Sequence, residues 1–148
     1  MSDEDWRAHL LETPDQVHAL LDRTKRIAVL GIKVSESREA AYGVPAYVQR
    51  AGYDVVPVPI YYPEVTEILG KPVYRRLVDI PGDIDMVNVF RRPKDLPAHL
   101  PDILAKHPKS VWFQLDIRHD EVAEQLARAG IDVVQDRCIM IDLDAMGR

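Results

Sequence analysis

Cysteine is nearly absent from this chain: Cys138 is the only one in 148 residues. A lone thiol closes no internal disulfide and supplies no cysteine pair for a zinc site. The histidines are scattered at positions 9, 18, 99, 107 and 119, with none paired at metal-ligand spacing, so no metal centre is expected. Glycine is also sparse, and neither G-x-G-x-x-G nor a Walker Gly-Lys-Ser/Thr run occurs. No apolar run approaches the roughly 20 residues that span a bilayer. Met1 to Asp5 is acidic and has no apolar segment, so no signal peptide is expected and the location is read as cytoplasmic. Excess positive charge is missing too. A net charge of −5 argues against a nucleic-acid or membrane-surface partner.

What the chain has is length enough for one domain. At roughly 150 residues a domain buries about 68–70% of its unfolded surface, so a core forms without staples. The organising stretch is Lys25 to Lys33, a buried strand over Ile27–Ile32 that meets Gly31 and opens into the polar loop Val34–Glu39. A helix is expected from about Tyr42 to Ala51, its ordered part starting near Gly43 because Pro45 fits only a first turn. Strand, glycine turn, polar loop and helix form the first half of a nucleotide-binding βαβ unit. Loop amides and the helix start then face outward from the strand end and favour an anion.

The rest continues the alternation. Residues 3 to 11 read as a short helix with Trp6 and Leu10 on one face. Thr13-Pro14-Asp15-Gln16 is a capping box opening a second helix. Tyr53 to Val58 is a short strand, since Pro57 and Pro59 lack amide donors. Ile60 to Lys71 reads as loop, and Val73 to Leu77 as weak strand or turn. Asp85 to Phe90 is a strand, followed by a helical pattern that Pro97 and Pro101 are expected to break. Ser110 to Leu115, His119 to Ala129 and Ile131 to Val134 read as strand, helix and last strand, with an extended or turn-like tail from Asp136 to Asp142. The fold class is α/β: a doubly wound parallel sheet in a single domain (24–148), with an N-terminal helical addition (1–23). Ligands of such sheets sit outside the strand C-terminal ends. Those ends are Gly31, Pro59, Phe90 and Gln114.

A dinucleotide needs an acid at the end of the second strand, and Val58-Pro59-Ile60 stands there; Asp54 lies at the strand's wrong end. Arg91, Arg92 and Lys94 form a local basic group after the third strand, as do Lys71, Arg75 and Arg76 elsewhere. Each is equally a solvated face, and Gln114 is equally a tie between loops, because a buried amide needs partners. Cys138 beside Arg137 reads as structural. No nucleophile and base pair is expected at one strand end, so no catalytic residue is assigned.

These residues carry a resemblance. Gly31 with Lys33, Ser35, Ser37 and Arg38, then Tyr53-Asp54-Val55-Val56-Pro57-Val58, then Val89-Phe90-Arg91-Arg92-Pro93, Trp112-Phe113-Gln114-Leu115 and Asp136-Arg137-Cys138-Ile139 together resemble the small CoA-binding proteins. These are similar to the CoA-binding domain of the succinyl-CoA synthetase α subunit. The resemblance covers about Thr24 to Leu143 and implies a Rossmann-like fold with coenzyme A across the strand ends. It implies that Gly31, Lys33, Ser35 and Arg38 hold phosphates, with Ile32 also among the cofactor-binding residues. Pro59 and Ile60 would flank the nucleotide, Phe90, Arg91 and Arg92 would line the opposite side, and Gln114 would close the floor. The family's second strand commonly ends in Asn-Pro where Pro59-Ile60 stands here. Glu36 and Glu39 replace prolines and would weaken anion binding unless they point away. The expectation is a module that binds CoA or acyl-CoA without catalysis of its own. The alternatives are a small NAD(P)-dependent oxidoreductase and a domain with a vestigial nucleotide pocket.

Overall fold

The sheet is built from five short apolar segments, each buried on both sides because helices cover both faces. β1 (Arg26–Leu30), β2 (Asp54–Val58), β5 (Met86–Val89), β6 (Ser110–Phe113) and β7 (Asp132–Val134) run parallel in the order β2-β1-β5-β6-β7. The register is continuous across the sheet: Ala28 pairs with Val56 and Val87, and Val87 with Val111. The computed structural model describes residues 3–148; Met1 and Ser2, part of the expected N-terminal unit, lie outside the described residues.

Alternate side chains feed two cores. Ala28, Leu30, Val87, Val89, Val111 and Phe113 face α3 (Leu96–Lys106) and α4 (Asp120–Arg128). Ile27, Val29, Met86 and Trp112 face α1 (Pro14–Asp22), α2 (Ala40–Arg50) and α5 (Ile139–Ala145). The sheet is therefore doubly wound. Burial of a large apolar side chain such as Leu126 or Ile103 contributes roughly 1.5–3 kcal/mol, which is what pins each helix to its face.

Several local expectations are met. Thr13 Oγ1 accepts from Gln16 N–H and the Gln16 side chain accepts from Thr13 N–H, closing the capping box of α1. β2 is an edge strand, which is why it tolerates Pro57. Others are corrected. The expected short N-terminal helix is present as a 3₁₀ helix over Asp3–His9, but it ends before Leu10, which bridges Val133 on the β7 edge. α2 starts at Ala40, so Pro45 lies in its interior. α3 runs unbroken through Pro101; that proline and Pro97 are both exposed, so water can serve the freed Pro97 carbonyl. The loop after β2 carries a two-residue hairpin, β3 (Glu67–Ile68) with β4 (Lys71–Pro72). The tail is helical: α5 buries Ile139 and Leu143 against the second core. Among the described residues no helix is long and apolar enough to cross a membrane.

Candidate functional site

The order of the sheet switches direction between β1 and β5. The chain leaves β1 towards β2, then returns to lay β5 on the other side. The two exits diverge at that point, and in open parallel sheets the crevice at the C-terminal rim of such a switch is where ligands sit. All four expected strand ends, Gly31, Pro59, Phe90 and Gln114, stand on this rim because their strands are parallel.

Gly31 is required where it sits. Its φ is +89°, and a Cβ there would lie 2.6 Å from the Phe90 carbonyl oxygen and 3.1 Å from Arg91 Cδ. Its N–H donates to the Val58 carbonyl at 2.9 Å, and Phe90 N–H donates to the Leu30 carbonyl at 2.9 Å. Gly31, Phe90 and Arg91 are thus packed together at the switch point. Ile32 turns into the core with 1% exposure, leaving only its main chain for any other task.

The first loop is held from inside. Lys33 N–H donates to the Ala41 carbonyl at 3.1 Å. Ser35–Ser37 form a 3₁₀ turn, and Arg38 follows in the left-handed region at φ 56°. The Lys33 ammonium is hydrogen-bonded to the Glu39 carboxylate, and that bond raises the lysine above its ordinary pKa. Glu39 therefore faces the loop, contrary to what free phosphate contacts would want. Ser35 is exposed and lines a pocket of about 240 Å³ with Glu36, Tyr42, Glu67 and Leu69. Arg38 is exposed and has no ion partner among the described residues.

Across the crevice Arg91 is fixed on several sides. Nε donates to His99 Nε2 at 3.2 Å, Nη1 donates to the Tyr61 hydroxyl at 3.4 Å, and Nη2 lies 3.6 Å from Asp95 Oδ2. The guanidinium also sits 5.7 Å from the Tyr61 ring centre, a cation–π distance. For Nε2 to accept, the His99 ring proton must be on Nδ1. Partial burial, then the Arg91 charge, push the His99 pKa below its ordinary value. Arg91 lowers the Tyr61 phenol by hydrogen bond and by charge. Arg92 is 67% exposed and donates to Asp95 Oδ2 at 3.1 Å. Desolvation works against the Asp95 carboxylate, but Arg92 and Arg91 more than offset it and hold the pKa below the usual range.

Pro59 is buried and Ile60 half-buried against the core, so the surface they offer is small. The exposed wall beside them is Tyr61, meeting Tyr62 edge to face at 6.4 Å. Arg75 shapes this loop by donating to the carbonyls of Tyr61, Tyr62 and Val65 at 3.0, 2.8 and 2.7 Å. Gln114 is 5% exposed and binds inward, its Oε1 accepting from Asn88 Nδ2 at 3.3 Å and from Ile139 N–H at 3.4 Å.

Sequence reasoning missed Tyr61, Asn88, Asp95 and His99. Asp95 was legible, being four residues after Arg91 across a helix start. Tyr61 was not, because its loop carries no periodicity. Asp54 opens β2 and is engaged by Arg26 at 3.4 Å and Lys71 at 3.5 Å, at the strand end away from the crevice. A larger cavity of about 520 Å³ lies at the β7 rim, lined by Trp6, Glu12, Arg118, Glu124 and Arg137 among others. Its carboxylates, Glu12, Asp120, Glu124 and Asp136, outnumber its arginines, the wrong sign for a polyphosphate.

Comparison with known proteins adds the following. Residues 25–144 match a family model described as a CoA binding domain. The uncharacterized protein YneT of Bacillus subtilis (strain 168) is 34% identical over 126 residues, covering 85% of this chain and 90% of that protein. The structure of cell-free ID.343 from Thermus thermophilus is 39% identical, covers 91% of this chain and 99% of that one, and superposes with a TM-score of 0.82. A hypothetical protein from Pyrococcus horikoshii OT3 is 31% identical over 93% of this chain and 94% of its own, with a TM-score of 0.82.

Proposed function

The chain belongs to the CoA-binding domain family, and on that premise we propose that it binds coenzyme A or an acyl-CoA in the crevice between β1 and β5. The observation that carries this reading is the switch point itself. Gly31 lets the β5 exit pass so close that Arg91 is delivered to the mouth of the first loop. Phosphates need amide donors and guanidinium groups. At the Gly31 turn the Ile32 N–H, with the side chains of Lys33, Ser35 and Arg38, would serve one side, and Phe90, Arg91 and Arg92 the other. Pro59, Ile60 and Tyr61 would wall the adenine. Residues 3–23 are read as an addition that packs on the CoA-binding unit, and the module has no catalytic group of its own.

A second reading has its own observation. Glu39 neutralises Lys33, and Asp95 offsets one of the two charges of Arg91 and Arg92, as in a pocket that has lost its ligand. Calorimetric titration with CoA, acetyl-CoA and NADH separates the readings. Heat with CoA and acetyl-CoA but not NADH is expected; silence with CoA at millimolar concentration would overturn the proposal in favour of the vestigial pocket.

A further inference from the structure

Asn88 is a polar residue at the centre of the sheet, 1% exposed, on the same face as Met86 and Trp112. A buried amide in a parallel strand is costly unless it is paired. Its Nδ2 donates to the Trp112 carbonyl and to Gln114 Oε1, both at 3.3 Å, while its Oδ1 is sealed from solvent with no partner among the described residues.

The orientation of both amides follows from two backbone groups. The Trp112 carbonyl only accepts, so it fixes the Asn88 nitrogen beside it. The Ile139 N–H only donates, so it fixes Gln114 Oε1 beside it. Reversing either amide sets acceptor against acceptor or donor against donor. Gln114 Nε2 is thereby forced to the free end. It has no partner among the described residues and, unlike Asn88 Oδ1, is not sealed from solvent.

That donor sits at the β6 end, one strand beyond the Arg91 exit. It is uncharged, and along the chain and on the β5 side its neighbours are apolar: Phe113, the exposed Leu115, Ile139 and the half-buried Phe90. On the β7 side stands Arg137, whose guanidinium is already bound by Asp142 at 2.9 and 2.6 Å. A phosphate is better served by the arginines one strand away. An uncharged acceptor with apolar flanks suits this position.

Resting on the reading above, we propose that Asn88 is a positioning residue that holds Gln114 with its amide nitrogen outward, and that this nitrogen donates to a carbonyl oxygen on the pantetheine arm of CoA. The site then reads the arm as well as the nucleotide.

The test compares two ligands on the full chain: CoA, and the 3′-phosphorylated ADP portion of CoA, which keeps every phosphate and lacks the arm. Asn88→Leu is expected to lower CoA affinity roughly 3- to 10-fold, the factor for one neutral hydrogen bond, while the nucleotide stays within roughly twofold. Gln114→Glu is the second variant, in case Asn88→Leu does not fold. It keeps an acceptor for Asn88 and Ile139 and removes only the outward donor. Its added charge acts on both ligands, so the ratio of the two affinities isolates the lost bond. A ratio unchanged in the folded variants overturns the inference while leaving CoA binding intact. Wild-type protein that binds neither ligand overturns this inference and the CoA reading together, and wild type that binds the nucleotide but gains nothing from the arm overturns this inference alone.

Discussion

Lys33 N–H donates to the Ala41 carbonyl at 3.1 Å, and that carbonyl is the one Pro45 cannot serve. In an unbroken helix the amide four residues on would take it. Proline has no amide hydrogen, so the carbonyl is released to the loop that leaves β1. A defect in α2 thus becomes the anchor of the first loop of the crevice. Replacing Pro45 with Ala restores the helical donor, which competes with Lys33 for the same oxygen. The Lys33 amide is then expected to exchange its hydrogen roughly tenfold faster, the factor for losing about 1.4 kcal/mol of protection. Hydrogen exchange read residue by residue checks this, and unchanged protection at Lys33 would show that the loop does not depend on the proline.

Two glycines give opposite expectations. At Gly31 an added Cβ meets backbone at 2.6 Å with φ at +89°, and backbone cannot step aside. Gly31→Ala is expected to cost about 2–4 kcal/mol from strain and overpacking together. Gly43 lies in α2 with nothing within 4 Å of a built Cβ. Gly43→Ala is expected to stabilise by about 0.5–1 kcal/mol, the helix-interior preference for alanine. Urea denaturation of both variants measures the pair, and equal effects would contradict the geometry.

Arg91 and Arg92 are neighbours with different tasks. Arg91 is held by His99, Tyr61 and Asp95, whereas Arg92 is tied, among the described residues, to Asp95 alone and is 67% exposed. A preorganised guanidinium loses less freedom on meeting a phosphate. Arg91→Gln is therefore expected to weaken CoA binding roughly 10- to 100-fold, with a smaller loss for Arg92→Gln and a shallower salt dependence for both. Titrations at low and high salt decide it. If neither substitution changes the affinity, the pair only secures the turn into α3.

His99 gives a pH prediction. Its folded pKa lies below the ordinary value of 6.5, through burial and the Arg91 charge. The unfolded chain then binds the proton more readily than the folded one. The stability tied to neutral His99 is complete above pH 6.5 and is lost as pH falls from there through the folded value. His99→Gln is expected to flatten the loss of stability between neutral pH and about pH 5. Thermal melts of both proteins across that range provide the check, and parallel curves would place the acid sensitivity elsewhere.

The sequence by itself determined what local chemistry can decide. Apolar runs named the five parallel strands, Thr13 and Gln16 named a helix start, and Gly31 named the turn that opens the crevice. Each signal is complete within a few residues, so no distant partner can reverse it. The tertiary structure decided everything that depends on a remote group. Pro45 and Pro101 stand inside helices because a carbonyl four residues back finds Lys33 in one case and faces water in the other. Asp136 to Asp142 leads into a helix because Ile139 and Leu143 have a core to fill. Tyr61 reaches Arg91 because β2 and β5, far apart in sequence, end on one rim, and His99 reaches it because α3 turns back beside the β5 exit. Periodicity reports which face of a segment is apolar; only the packed chain says which unpaired donor or acceptor meets which.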